Sequence, residues 1–423
     1  MALDLRKTAP QVRGMSLDLQ GAHEARLARL DRASEVLGQP LERPHGPLAE
    51  DVLRRRVEAA GPPRPRVSFL VAGLPATQPL ADGLARSFPP PPAPAEYVAL
   101  ATDGSQIAVD RHGPAHCFLI NTGGALIRYG PQPDADLFSE PHLFSTPDEL
   151  AIPDLEGGVR QQPIDDVLLG VKRTVMECQA LAQRLEGLPA GPPVLALLDG
   201  SLVRWELSGN RYDDYVRRAL LQDGFLAALD RLRAVAKTRR LAFASYISSP
   251  RSTEVVNVLR VAWCPHESVE TRGCDNICGR GGPGKRECDD VATGLMDRDL
   301  FARSLQPGER SQLFASPSPI VREYGPHEVQ FCYVNVGDEV ARLEMPEWVA
   351  GDAEAVDLLH ALTLDQCRKG GGYPVGLQEA HEAAVVTAGD RRLFWGLVET
   401  SLAGQGLPVS ASEKARSKRL RAV

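Results

Sequence analysis

No apolar run in the 423-residue sequence approaches the ~18 residues from which a transmembrane helix would be read, and the N-terminus, MALDLRKTAP, lacks a signal peptide's apolar stretch. A protein without a membrane span, working in the cytoplasm, is therefore expected. Cysteine is sparse: eight thiols in so long a chain do not make a disulfide framework, and free thiols suit a reducing compartment. Basic charge is not in excess either. Lys and Arg number 48 against 55 Asp and Glu, a net charge of −7. That argues against a broadly basic surface without excluding nucleic acid, because a local basic groove suffices to hold phosphates. What is present is a globular composition, 43% hydrophobic and 24% charged, which excludes wholesale disorder, a collagen-like fibre and a small disulfide scaffold. The length suits two or three average domains, or one enzyme core with elaborations.

The hydrophobic pattern divides the chain. Residues 21–60 read as helical, with Leu27, Leu30, Ala33 and Leu37 at three-to-four-residue spacing among charges. From 61 to 95 ten prolines, including Pro89, Pro90, Pro91, Pro92 and Pro94, predict extended chain, so residues 1–95 form an N-terminal helical region and linker ending near Ala95. A core begins at 96. EYVALATDGSQ and IAVDRHGPAHCFLINTGGALIRYG, with turns expected at Gly113-Pro114 and Gly123-Gly124, predict three antiparallel strands. Asp165 to Glu186 places Leu168, Val171, Val175, Cys178, Ala182 and Leu185 on one helical face, with Asp165 and Asp166 favouring its N-terminus. PPVLALLDGSL then reads as a buried central strand, followed by a helix over about 211–236 and the strand LAFASYIS over 241–248. This first part of the core spans 96–263. Residues 264–312 are a Cys- and Gly-rich insertion. The core resumes over 313–405 with the strand pair VQFCYVNVG and VARLEMPEWVA and helices around 352–366 and 376–400, and residues 406–423 are a basic tail. The fold class is α/β, a mixed sheet flanked by helices.

Two Asp-Gly-Ser sites draw the chemistry together. Asp103 and Asp199 each lie where an apolar strand is expected to run into a small-residue turn, the edge at which α/β sheets meet ligands. Asp-Gly is an ordinary turn dipeptide, so the argument rests on the pair. Glu177 lies on the helix between them. Three carboxylates held close would raise one another's pKa unless divalent cations bind between them, and two such cations can activate water for phosphodiester cleavage. Near the C-terminus, GGGYPVGLQEAHEAAVV supplies Tyr373, a helix start at Pro374 and His381, whose imidazole suits a divalent metal and proton transfer.

These segments, VALATDGSQ, the Glu177 helix, VLALLDGSL and GGYPVGLQEAHEAAVV, resemble in order and context the NurA nuclease family, over roughly residues 95–400. The resemblance implies an RNase H-like fold and a Mn²⁺-dependent deoxyribonuclease, with Mg²⁺ an alternative, acting on single strands and duplex ends with 5′-to-3′ polarity in double-strand-break resection. It implies Asp103, Glu177, Asp199 and His381 as ligands of a two-metal site, and Tyr373 as a contact to substrate or metal-bound water. Glu186, on the same helix, competes with Glu177 for its role. A homodimer that receives DNA from a HerA-type hexameric translocase is also implied. The N-terminal helices and VARLEMPEWVA are candidate dimer or partner surfaces, or simply packing surfaces.

Other features stand outside that pattern. Cys264, Cys274, Cys278 and Cys288 form a C-x9-C-x3-C-x9-C array among glycines, with His266 as a substitute ligand; Zn²⁺ and an iron–sulfur cluster both fit, and either would fold the insertion. Cys117, Cys178, Cys332 and Cys367 read as core residues. Arg239, Arg240 and Arg251 are candidate phosphate contacts or solvated surface. Two competing functions remain: an actin-like ATPase using the Asp-Gly-Ser turns as phosphate loops, and a non-catalytic ring that clamps DNA beneath a translocase.

Overall fold

The computed structural model describes residues 4–60, 69–76, 79–80, 83–109, 114–155, 158–266, 278 and 286–407. The chain divides into two compact units, one of Met1–Pro90, Ile247–Glu323 and Glu328–Glu344, the other of Pro91–Tyr246, Tyr324–His327 and Met345–Val423.

In the first unit the opening helix, Leu5–Gly38, begins well ahead of residue 21 because the Asp4 carboxylate caps it through the N–H groups of Arg6 and Lys7. Helices Glu50–Ala60, Glu254–Trp263 and Asp297–Ser304 share a core with it, closed by Phe301, Phe314, Phe331 and Tyr333. The expected strand pair is present as Val329–Asn335 beside Val340–Pro346. Burial alone does not make the helix at Glu254: its N-terminal N–H groups, Val255 and Val256, donate to the wholly buried Asp297 carboxylate from another part of the chain, at 3.1 and 2.8 Å.

The second unit carries the candidate site. Strands β1 (Tyr97–Ile107), β2 (Phe118–Tyr129) and β3 (Asp134–Phe144) form an antiparallel meander; helix α1 (Asp166–Glu186) follows; β4 (Val194–Asp199) lies parallel to β1, and β5 (Leu241–Ile247) parallel to β4. The sheet order in this unit is β5-β4-β1-β2-β3, mixed as expected: an antiparallel triplet extended by a parallel pair. Helix α2 (Ala227–Ala236) continues a helical run from Asp214 whose middle, Arg218–Leu226, is π-helical. Helices α3 (Ala353–Lys369), α4 (Val375–Ala384) and α5 (Ala388–Gly404) complete the unit.

The predicted α1 stripe is buried throughout, and Asp165 is its N-cap, accepting from Leu168 N–H at 2.8 Å. β4 is buried from Val194 to Leu198, as a central strand in contact on both edges must be. Two expectations change. Gly123 and Gly124 lie within β2 instead of at a turn; they are glycines because side chains there would collide, at Gly123 with the Ala384 backbone of α4 and at Gly124 with the Phe138 ring. The expected helix over 376–400 is two helices, parted where Thr387 caps α5 through Asp390 N–H. The Gly113-Pro114 turn falls partly outside the described residues, as does most of the basic tail.

Candidate active site

Asp103 is the seventh residue of β1, which continues to Ile107. The expected strand-end turn is absent at this position, because the Asp103-Gly104-Ser105 backbone pairs with Gly123, Thr122 and Asn121 of β2. Asp199, by contrast, does end its strand, in register with Tyr246 of β5. Each aspartate accepts a hydrogen bond from the N–H of its following glycine, Gly104 at 2.7 Å and Gly200 at 3.0 Å, which orients the carboxylates alike.

Glu177 projects from α1 toward the same place and is only 4% exposed. Thr102 fastens helix to strand by donating its hydroxyl to the Glu177 carbonyl at 3.0 Å. Gly104 supplies the room: a Cβ there would fall 2.4 Å from Glu177 Oε1 and 2.9 Å from Arg173 Cγ. Burial pushes the Glu177 carboxyl up to about 7, Arg173 and Arg204 opposing while Asp103 and Asp199 reinforce. Asp199 keeps a face open to solvent, yet the protein around it and then the Asp103 charge raise its pKa, against the Tyr373 and Gly200 hydrogen bonds and the His381 charge. The three carboxylates therefore act on one another. Glu186 is elsewhere, paired with Arg231 at 2.6 Å, so Glu177 is the α1 acid of this cluster.

The fourth side comes from α3 and α4. The turn between them uses Gly371 and Gly372 at φ of 66° and 110°, conformations that side chains rarely adopt. It presents Tyr373, whose hydroxyl donates to Asp199 Oδ1 at 3.3 Å and whose ring meets Tyr246 edge-on. Pro374 precedes α4, as expected, and His381 reaches Asp103, Nδ1 to Oδ2, at 2.8 Å. The C-terminal end of α4 is gripped by β1 and β2: Ser105 donates to the Ala384 carbonyl at 2.6 Å and Asn121 Nδ2 to the same carbonyl at 2.8 Å. At its start, buried Gln366 accepts from Gly376 N–H at 3.0 Å and donates to Tyr97 at 2.9 Å. Sequence reasoning missed these positioning residues, since each acts across a long sequence separation; so too Arg173, whose only signal was its place four residues before Glu177.

Asp103, Glu177, Asp199, Tyr373 and His381 thus share one site. The donor set fits a divalent cation: three mutually opposed carboxylates, an imidazole, and a buried Glu177 Oε1 that has no hydrogen-bond partner. As the side chains stand, no three His, Cys, Asp or Glu residues among the described residues already close around a single point.

Of the remaining candidates, two adjoin a strand of the same unit. Arg239 and Arg240 precede β5, where Arg240 O accepts from Val194 N–H, at the opposite end of β4 from Asp199, about 17 Å along the strand. The Arg239 guanidinium is occupied by the carbonyls of Leu188 and Pro189, and Arg251 is exposed in the other unit. Cys274 lies outside the described residues; Cys264, Cys278 and Cys288 are free thiols of the first unit, with Cys278 Sγ 3.4 Å from His266 Nε2. Cys117, Cys178, Cys332 and Cys367 are buried.

A NurA domain model matches residues 97–386. The fold is similar to the crystal structure of the NurA nuclease from Sulfolobus solfataricus, with a TM-score of 0.46 and 13% identity over 76% of this chain and 88% of that one. A second NurA crystal structure gives 0.36 and 14% over 74% and 90%, and a NurA crystal structure with manganese gives 0.35 and 11% over 74% and 91%. No curated protein matches the chain.

Proposed function

We propose, from the premise that this chain belongs to the NurA family, that it is a metal-dependent deoxyribonuclease. The observation that carries the reading is the Glu177 carboxyl, pushed up to about 7 by burial and then by the Asp103 and Asp199 charges, with an oxygen that meets Arg173 as an ion pair but takes no hydrogen bond. Such a cluster is costly without a cation to serve. Asp103, Glu177, Asp199 and His381 would hold Mn²⁺, or Mg²⁺, as a two-metal site. The ions, when bound, supply Lewis acidity toward phosphate and lower the pKa of water.

The chain's own residues have separable tasks. Asp103 fixes the His381 ring through Nδ1, which leaves Nε2 as the ring atom that would hold a cation or, in place of that role, pass a proton. The Tyr373 hydroxyl orients Asp199 and, being at the open side, is placed to touch substrate. Gly104 N–H and Gly200 N–H keep the two aspartates aimed.

The finer reading follows the family: single strands and duplex ends as substrates, 5′-to-3′ polarity, end resection at double-strand breaks in the cytoplasm, a homodimer, and a HerA-type hexameric translocase as partner. Among the described residues no helix is long and apolar enough to cross a membrane. Cys264, Cys278 and Cys288, with Cys274, are proposed to hold Zn²⁺ or an iron–sulfur cluster that folds the insertion over 264–312.

The test is degradation of an end-labelled single strand with Mn²⁺, Mg²⁺ or EDTA, beside Asp103→Asn and Asp199→Asn. Metal-dependent cleavage lost in both variants is expected. No cleavage under any condition, with translocase and ATP included, would replace the nuclease by a DNA-clamping adaptor.

A further inference from the structure

One cation in the cluster is held in a way that invites exchange. Arg173 Nε lies 3.1 Å from Glu177 Oε1, but the angle makes no hydrogen bond, and both buried atoms lack a hydrogen-bond partner. Arg precedes Glu by four residues on α1, the weaker order for such a helical pair. The contact is therefore an undirected attraction, open to replacement by a stronger cation. Among the described residues it is the one ion pair that Arg173 makes.

The two arginines near Glu177 differ in freedom. Arg204 is 6% exposed, donates to the Ser201 carbonyl and lies over the Phe225 ring, so it is committed. The Arg173 side chain is 35% exposed, against 5% for Glu177, and so reaches from the buried acid toward solvent. A planar guanidinium on an open edge of a carboxylate site is suited to a phosphate, which it can meet with two parallel N–H donors.

We propose that Arg173 is an exchangeable counter-ion: it neutralises Glu177 while no divalent cation is bound, and contacts a phosphate of the DNA once Glu177 serves a cation. The assignment rests on the nuclease reading above. It makes Arg173 a competitor of the metal and an ally of the substrate, two effects of opposite sign from one side chain.

The experiment uses the full chain and two variants, Arg173→Gln and Arg173→Lys. Mn²⁺ is titrated without DNA and the free ion followed by its electron paramagnetic resonance signal; binding of a labelled single strand is measured in Ca²⁺ over a salt series, with the strand checked for integrity. Arg173→Gln should bind Mn²⁺ up to about five-fold more tightly, the value of a partly exposed ion pair removed from competition. The same variant should bind the strand more weakly, with its salt slope reduced by about 0.7, one phosphate contact fewer, while Arg173→Lys keeps most of that slope. Unchanged or weaker Mn²⁺ binding by Arg173→Gln, or an unchanged salt slope, would overturn the assignment. If wild-type protein binds Mn²⁺ and cuts DNA when that happens, the nuclease reading stands alone; if wild-type protein does neither, both fall.

Discussion

Replacing Glu177 by glutamine should stabilise the metal-free protein while abolishing its activity. The carboxyl titrates near 4.5 ordinarily and at about 7 in the fold, chiefly because burial disfavours its charge. A raised pKa means that the native state binds the proton more tightly than the unfolded chain. The contribution is fully present below pH 4.5 and is lost as pH climbs through about 7. Once lost it amounts to about 3 kcal/mol, taking 1.36 kcal/mol per unit. Glutamine has the shape of the protonated acid and never ionises. In EDTA, urea melts of wild type and Glu177→Gln should coincide below about pH 4.5 and differ by about 3 kcal/mol at pH 8, the variant being the more stable. Mn²⁺ should raise wild-type stability at pH 8 and leave the variant nearly unmoved. Wild-type stability that stays level relative to the variant from pH 4 to 8 would refute the reasoning, because Glu177 would then not be a strained buried acid.

Gly123→Ala tests the seat of α4. The new Cβ would lie 2.3 Å from Ala384 N, so the end of α4 must retreat by roughly 1 Å, carrying His381 from Asp103. A fall of about 100-fold in cleavage rate and a loss of 1–3 kcal/mol in stability are expected, measured by steady-state kinetics and melting. Tyr373→Phe removes a hydrogen bond that lowers the Asp199 pKa, so the acid limb of the pH–rate profile should move upward. An unmoved limb would show that the hydroxyl does not govern Asp199. Metal analysis of purified wild type and Cys288→Ser tests the insertion: zinc or iron near one site per chain, lost in the variant, is expected, and a metal-free wild type would leave the thiols without that task.

Much of the second unit was legible because its segments signal locally. The α1 stripe and the continuous apolar β4 follow directly from periodicity, and the Tyr-Pro turn marks the start of α4. The site's residues were legible because two Asp-Gly-Ser segments, a helix acid and a C-terminal histidine fall in a recognisable order. Long-range steric facts were not. Nothing near Gly123 or Gly124 in sequence announces that α4 and Phe138 press on them, so two strand glycines resembled a turn. Asp103 was misplaced to a strand end for a related reason: Gly104 pairs within the strand, and its missing side chain serves Glu177. Arg239 and Arg240 adjoin a strand that does reach the site, but at its other end.

The position of Asp103 within β1 has a kinetic consequence. Its strand is hydrogen-bonded to β2 throughout and to β4 as far as Thr102, so this carboxylate sits in backbone that opens only when the sheet does. His381 and Tyr373, in contrast, depend on a ten-residue helix and a glycine turn, fastened at the far end by Ser105 and Asn121. Amide exchange should therefore separate the site into two cooperative units, the β1 and β4 amides protected to the global limit and the α4 amides exchanging through a cheaper, local opening. Gentle heating would then inactivate the molecule from its histidine side, reversibly, while the acidic half stays folded and keeps its place for the helix to return.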